Sequence, residues 1–433
     1  MVINLSKQQH SLYKIVIAHY SIGAVFFLVL SVMFFFSIEV MSGHYFQPML
    51  LALTHTAALG WGTMVIFGAL NQLLPVILER GLFSIRIGWW SLLFLVPGII
   101  LLIYSFWVFE PGIYMQIGSV LILIGVFLFV LNVLFTIAKG KQASSVFAEF
   151  ILTSCLWLFL TISLGVLMVF NFQYPFLPKE HLQFLRLHAQ MGISGWFLLL
   201  IIGVSAKLIP MFLLSSYQKT NLLTVSYYLI NGALIAFLID GYLHGINFNT
   251  YFILGLGTSG IGFYFAFLYQ CIVSRIRKGI DMPMVQSLSS FLLLGMGILI
   301  LPVILYYHIQ NDAYAVQLSV LYGTFIFMGW VSALILGQTF KTLPYIVWVK
   351  HYEQLTGKFR IPLPADLIHN RLLFVQLIAF FIFLVSFLVG FLLRISALKY
   401  LGAVSLIMCS TSYCLHVFLL LIHKTRTEKY DRI

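Results

Sequence analysis

Residues 55–77 read HTAALGWGTMVIFGALNQLLPVI. Within them Gly60-Trp61 is followed by Gly68 and then by Pro75. The spacing G-W-x6-G-x6-P returns at Gly195-Trp196, Gly203 and Pro210, inside HAQMGISGWFLLLIIGVSAKLIPMF (188–212), and again at Gly329-Trp330, Gly337 and Pro344. The chain has 8 tryptophans, and three of them, Trp61, Trp196 and Trp330, stand in this pattern 135 and 134 residues apart. Such regularity marks an internal triplication. Eleven residues after each Trp comes a polar residue: Gln72, Lys207 and Lys341. Gly and Pro at steps of seven fall near one helical face. Small residues there let helices approach closely, so the motif by itself speaks of helix packing.

The chain around this motif is very apolar. It has 433 residues, of which 61% are hydrophobic and 8% charged, and a mean hydropathy of +1.04. A soluble domain carries about a quarter charged residues. That excludes a soluble enzyme, a disordered protein and a fibrous repeat, and leaves lipid as the solvent. Apolar runs give twelve spans: 15–37, 49–76, 88–108, 113–138, 147–170, 188–214, 222–243, 250–273, 284–306, 315–340, 372–393 and 397–422. They must be helices, because lipid offers no partner to an exposed backbone. The first run is too long for a signal-peptide core and has no small-residue cleavage site after it. The break 341–371 (PYIVWVKHYEQL, then RIPLPADLIHNR) reads as an interfacial helix followed by a Pro-stiffened link, or equally as a plain loop. The loop 171–187, with Pro175 and Pro178, is expected to pack across the outer face.

Basic residues orient the chain. With the N-terminus inside, the outer segments hold Lys179, Arg186, Arg394 and Lys399, and Lys207 lies within a span. The other nineteen of the 24 Lys and Arg fall inside. They include Arg80, Arg86, Lys139, Lys141, the Arg275/Arg277/Lys278 cluster and the tail from Lys424 to Arg432. Both termini are therefore expected in the cytoplasm, with the protein integral to a bacterial cytoplasmic membrane. The net charge of +12 then faces the anionic inner leaflet, and no nucleic-acid partner is implied. The expected architecture is all-α: one integral membrane domain, 1–433, with twelve transmembrane helices in three four-helix repeats (15–138, 147–273, 284–422). All three repeats have one orientation, around a pseudo-threefold axis normal to the membrane.

Twelve spans in three four-helix arcs, with a His in the outer part of span 2, resemble subunit I of the haem-copper oxidase superfamily. The strings at 55–77 and 188–212 are similar to its most divergent, cbb-type-like members and to the related haem- and copper-binding nitric-oxide-response membrane proteins. The likeness covers the chain in architecture and mainly spans 2 and 6 in residues. It implies respiratory redox or oxygen/nitric-oxide chemistry, haem b and copper as the candidate cofactors, and a redox partner subunit.

An ionisable residue inside a span is a functional hypothesis by default. His55 lies about two turns into span 2. Neutral imidazole is a good axial ligand for haem iron, and the resemblance implies that role for His55; the alternative is a His bonded to a neighbouring helix. The family's span-6 His binds copper, which makes His188 a metal candidate, against an interfacial His. His188 stands eight residues before its Trp, whereas His55 stands six before its own. In span 7, His244 in DGYLHG is a second metal candidate, with Asp240 one turn away to orient it; a helix-end ion pair is the alternative. The resemblance calls for two histidines in span 10, but 315–340 contains none. Tyr322 and Thr324 stand at the positions equivalent to His188 and His55, and Gln317 and Met328 remain as weak donors. The ordinary binuclear centre is therefore not expected, and neither is ordinary oxygen or nitric-oxide turnover.

The remaining polar residues have ordinary readings. His19 and His308 sit at helix ends. Cys409, Ser410, Thr411, Ser412, Tyr413, Cys414 and His416 make span 12 locally polar, as in helix-knitting segments, with a thiol–imidazole copper site as the remote alternative. The four cysteines (Cys155, Cys271, Cys409, Cys414) form no CxxC and no disulfide framework. Lys207 is expected to be buried and to snorkel. No phosphate-cradling loop, zinc signature or Ser/His/Asp order appears. Three functions remain open. The first is a haem- or copper-binding redox protein. The second is a transporter or cofactor-handling channel lined by Gln72, Lys207 and Tyr322. The third is a structural subunit with no active site.

Overall fold

The computed structural model describes residues 2–139, 145–276 and 278–425, with 2–11 as backbone only. Lys141, Arg277 and the tail residues from Arg426 to Arg432 lie outside these. All regular structure among the described residues is helical, apart from one isolated bridge between Ser215 and Arg275. Twelve helices are long and apolar enough to cross a membrane: Leu12–Phe36, Pro48–Ile77, Ile85–Val108, Ile113–Ala138, Val146–Asn171, His181–Leu213, Asn221–Leu243, Asn249–Val273, Met282–Ile309, Tyr314–Leu355, Asn370–Leu392 and Ser396–Leu421. They are spans 1 to 12. Their apolar faces turned to lipid satisfy the hydrophobic requirement without a soluble core.

Two boundaries differ from the sequence reading. Span 6 begins at His181, so His188 lies two turns inside the helix and does not open it. Span 10 does not stop near Pro344 but runs through it to Leu355, so the expected separate interfacial helix is the continuation of span 10. Proline removes one backbone donor and crowds the preceding turn. The helix carries on because its far end is packed: Val347 and Tyr352 are fully buried, and Trp348 Nε1 donates to Pro362 O at 2.7 Å.

The three motif segments share a local distortion. Each enters a π-helical stretch five residues before its Trp: Thr56–Thr63, Met191–Leu198 and Phe325–Val331. The backbone N–H groups of Met64, Leu199 and Ser332 reach back five residues, to Leu59 O, Ser194 O and Phe327 O. A π turn adds one residue to the helix and often marks a functional site. It also rotates the remainder of the span by about 100° relative to an unbroken helix. All three tryptophans are among the largest fully buried side chains.

Each motif span packs on the span before it through its glycines. A Cβ on Gly60 would stand 2.7 Å from the Phe26 ring, and one on Gly68 would stand 2.7 Å from His19 Cβ. A Cβ on Gly195 would meet Trp157, and one on Gly203 would meet Phe150 Cβ, each at 2.6 Å. Gly329 faces Leu293 at a looser 3.7 Å, and Gly337 is pressed against Ser287 and Pro283. The pairs are spans 1 and 2, 5 and 6, and 9 and 10.

The helices group into two compact units. Unit 1 comprises residues 1–72, 281–295 and 323–433; unit 2 comprises 73–280 and 296–322. In unit 1, Trp61 stacks on Phe27 at 4.3 Å and meets Tyr413 edge-on at 5.1 Å. Each such pair adds about 0.5–1.5 kcal/mol beyond burial. In unit 2, spans 3 and 4 touch through Gly98, Gly118 and Gly125, where any Cβ would come within about 3 Å of the facing backbone.

Candidate functional site

His55 belongs to unit 1 and ends the regular part of span 2, one residue before the π stretch. Its Nδ1 lies 2.7 Å from Leu51 O, one turn back. A carbonyl only accepts, so Nδ1 carries the proton and Nε2 carries the lone pair. That is the tautomer an axial iron ligand needs, held by the backbone of its own helix. Thr56, next in sequence, is fully buried, donates to Ala52 O at 2.7 Å, and lies 3.5 Å from Met33 Sδ of span 1.

His188 belongs to unit 2. Its Nδ1 lies 3.0 Å from Thr161 O of span 5, and Gly165 leaves room for the ring, with Cε1 3.0 Å from where a Cβ would be. It too presents Nε2 as the lone-pair nitrogen. His244 stands at the end of span 7, where Nδ1 bonds Asp240 Oδ1 at 2.9 Å. The second oxygen of Asp240 accepts from Asn247 Nδ2 at 3.0 Å. The carboxylate thus orients the imidazole, as the one-turn spacing suggests, but the His244 side chain is 63% exposed. His188 and His244 make separate bonds. Among the described residues, no group of three or more His, Cys, Asp or Glu is placed to hold a metal ion.

Of the other histidines, His19 and His416 each make one local bond and keep a buried ring nitrogen, Nε2 and Nδ1, without a hydrogen-bond partner. His19 Nδ1 bonds Ile15 O at 2.8 Å. His416 is fully buried, stacks on Phe340 at 4.0 Å, and its Nε2 accepts the His369 backbone N–H at 3.0 Å. That bond occupies the nitrogen a thiol–imidazole copper site with Cys409 would use. Met328 is buried in the π stretch of span 10. Lys207, expected to be buried, is exposed, with its ammonium 5.6 Å over the Phe147 ring. Lys399, counted among the outer flanking charges, is instead buried in the first turns of span 12, with Nζ 3.5 Å from Ser42 Oγ.

The residues fit a haem in one respect: one imidazole of fixed tautomer, two turns into an apolar helix. His55 would hold the iron of such a group through Nε2, and span 10 between 315 and 340 has no histidine to add a second such contact. The residues that complete these sites and escaped sequence reasoning are backbone groups, Leu51 O and Thr161 O. A carbonyl carries no side-chain signal, so no reading of residue types finds it.

The fold defines a class: a twelve-span, all-α membrane protein. No family model matches the sequence, and no curated protein matches it. Among solved structures, a haem-copper terminal oxidase dimer determined by electron cryomicroscopy superposes with a TM-score of 0.65. The match covers 98% of this chain and 85% of that one at 12% sequence identity. The chain thus has an oxidase-like fold, and at that identity the likeness is one of fold.

Proposed function

We propose that this chain is a haem-binding membrane protein of the divergent, cbb-type-like or nitric-oxide-response kind, working in redox or oxygen/nitric-oxide chemistry without an ordinary binuclear centre. The observation that carries this reading is the His55 Nδ1 bond to Leu51 O, which leaves Nε2 as the lone-pair nitrogen. When bound, a haem would supply an iron that exchanges an electron or holds a diatomic gas. The chain's part is to hold the imidazole in one tautomer, to bury Thr56 beside it, and to exclude water with the apolar faces of spans 1 and 2. Copper is the second candidate cofactor, with His188 and His244 as its ligands. His188 has the better setting, half-buried and with a committed tautomer, whereas His244 is exposed. The oxidase neighbour is a dimer, and a redox partner subunit belongs to the same proposal.

An absorption spectrum with metal analysis of the purified protein tests the reading. A Soret band that is lost in His55→Ala supports it. A colourless, metal-free protein after expression with ample haem overturns it in favour of a channel or a structural subunit.

A further inference from the structure

Buried polar atoms without partners mark places where water or a ligand completes the bonding. Two glutamines do so where spans 9 and 11 meet in unit 1. Gln286 and Gln376 are both fully buried, and Gln376 Nε2 donates to Gln286 Oε1 at 3.1 Å. A closed pair of primary amides exchanges two such bonds. Here the second is missing: Gln286 Nε2 and Gln376 Oε1 are both buried and without a partner. Flipping both amides leaves the same count, one orphan donor and one orphan acceptor. The pair is open on one side.

The next residue of span 9 turns to span 10. Ser287 Oγ accepts from Gln338 Nε2 at 2.9 Å and donates to Pro283 O at 2.8 Å. Gln338 Oε1 is a third buried atom without a partner. One turn further along span 10, Lys341 forms an ion pair with Asp281, just before the start of span 9. Asp281 is the more exposed of the two, at 36% against 11%.

The chemistry of these orphans selects their ligand. The unbonded NH2 group of Gln286 seeks acceptors, and the carbonyl oxygens of Gln376 and Gln338 seek donors. A cation leaves the N–H unmatched, an anion leaves both carbonyls unmatched, and an apolar ligand leaves all three. Water donates two bonds and accepts up to two, so it serves both kinds of orphan. We propose that Gln286, Gln376 and Gln338 form an internal water site in the seam of spans 9, 10 and 11, with the Lys341–Asp281 ion pair as its gate to the aqueous phase. The site places exchangeable protons beside the polar turn 338–342. On that turn Thr339 and Thr342 bond the phenols of Tyr413 and Tyr20, each at 3.1 Å.

Hydroxyl-radical footprinting of the full chain in lipid nanodiscs tests this, because radicals form wherever water is. Phe380, one turn from Gln376 on the same helix face and 0% exposed, is the reporter; Phe129, 1% exposed, is the dry control. Phe380 should oxidise several-fold faster than Phe129. Asp281→Asn should raise the Phe380 rate further, and Gln286→Leu with Gln376→Leu should bring it down to that of Phe129. Equal rates in the wild-type protein, or a raised rate untouched by the double substitution, overturn the proposal. Should the double variant fail to fold, a cryomicroscopy map that resolves waters decides. Density bridging the two amides is expected; a closed, twice-bonded amide pair with no density rejects the site.

Discussion

Ser332 Oγ accepts the indole N–H of Trp61 at 2.9 Å and donates its own proton to Phe327 O at 2.7 Å. One hydroxyl thus closes the π stretch of span 10 and ties it to the π stretch of span 2. Ser332→Ala removes both bonds and strands a buried indole N–H. Interhelical hydrogen bonds in membranes average well under 2 kcal/mol, and a stranded donor costs about 1–3 kcal/mol. The variant should melt several degrees below the wild-type protein in the same detergent, while Ser332→Thr should recover most of the loss. Equal melting of the Ala variant and the wild-type protein would deny the bond its role.

The haem reading singles out one nitrogen. His55→Ala should abolish or strongly shift any haem spectrum, because it removes the imidazole that would hold the iron. His188→Ala should disturb haem less and bound copper more, read by metal analysis. An unchanged haem spectrum in His55→Ala rejects the assignment.

The motif glycines differ in how closely they are packed, so their substitutions should rank. Gly68→Ala and Gly203→Ala drive a methyl into the Cβ of His19 and of Phe150, at 2.7 and 2.6 Å. Gly337→Ala drives one into Ser287 and the Pro283 carbonyl. Each should cost about 1–3 kcal/mol through overpacking. Gly329→Ala, with 3.7 Å to Leu293, should be near neutral. Thermal melts of the four variants check the order, and a Gly329 variant as damaged as the others contradicts it.

The nineteen-to-four bias of basic residues predicts an orientation with both termini inside. Tags on both termini should be protected in sealed, right-side-out membranes, and a cysteine placed in 175–183 should be labelled from outside. A terminus open to external reagent sinks the arrangement.

A last prediction concerns turnover. Oxygen reduction in haem-copper oxidases, which spans 2 and 6 resemble, needs a haem held by a span-10 His beside copper held by three histidines, and 315–340 of this chain holds no His. A metal short of ligands loses affinity and geometry together. Purified, haem-loaded protein given an electron donor should show no sustained consumption of oxygen or nitric oxide. Turnover that survives replacement of both His188 and His244 would place the chemistry elsewhere.

Composition and periodicity determined the solvent, the helical class and the twelve spans, because a backbone in lipid has no alternative to the helix. The G-W-x6-G-x6-P repeat pointed to the three spans that carry π stretches and to the glycines that press on their neighbours. It did so because a fully buried Trp and a contact glycine tolerate few other side chains. The π turn itself was not legible: it is a shift in backbone bonding, and no residue type demands it. Pro344 misled for a related reason, since a local stop signal yields when the turns beyond it are packed, as Val347 and Tyr352 are. The tautomer of His188, the exposure of Lys207, the burial of Lys399 and the open amide pair of Gln286 and Gln376 were decided only by tertiary structure. Each depends on which backbone carbonyl, ring or amide another segment brings within about 3 to 6 Å, and sequence spacing carries no record of that.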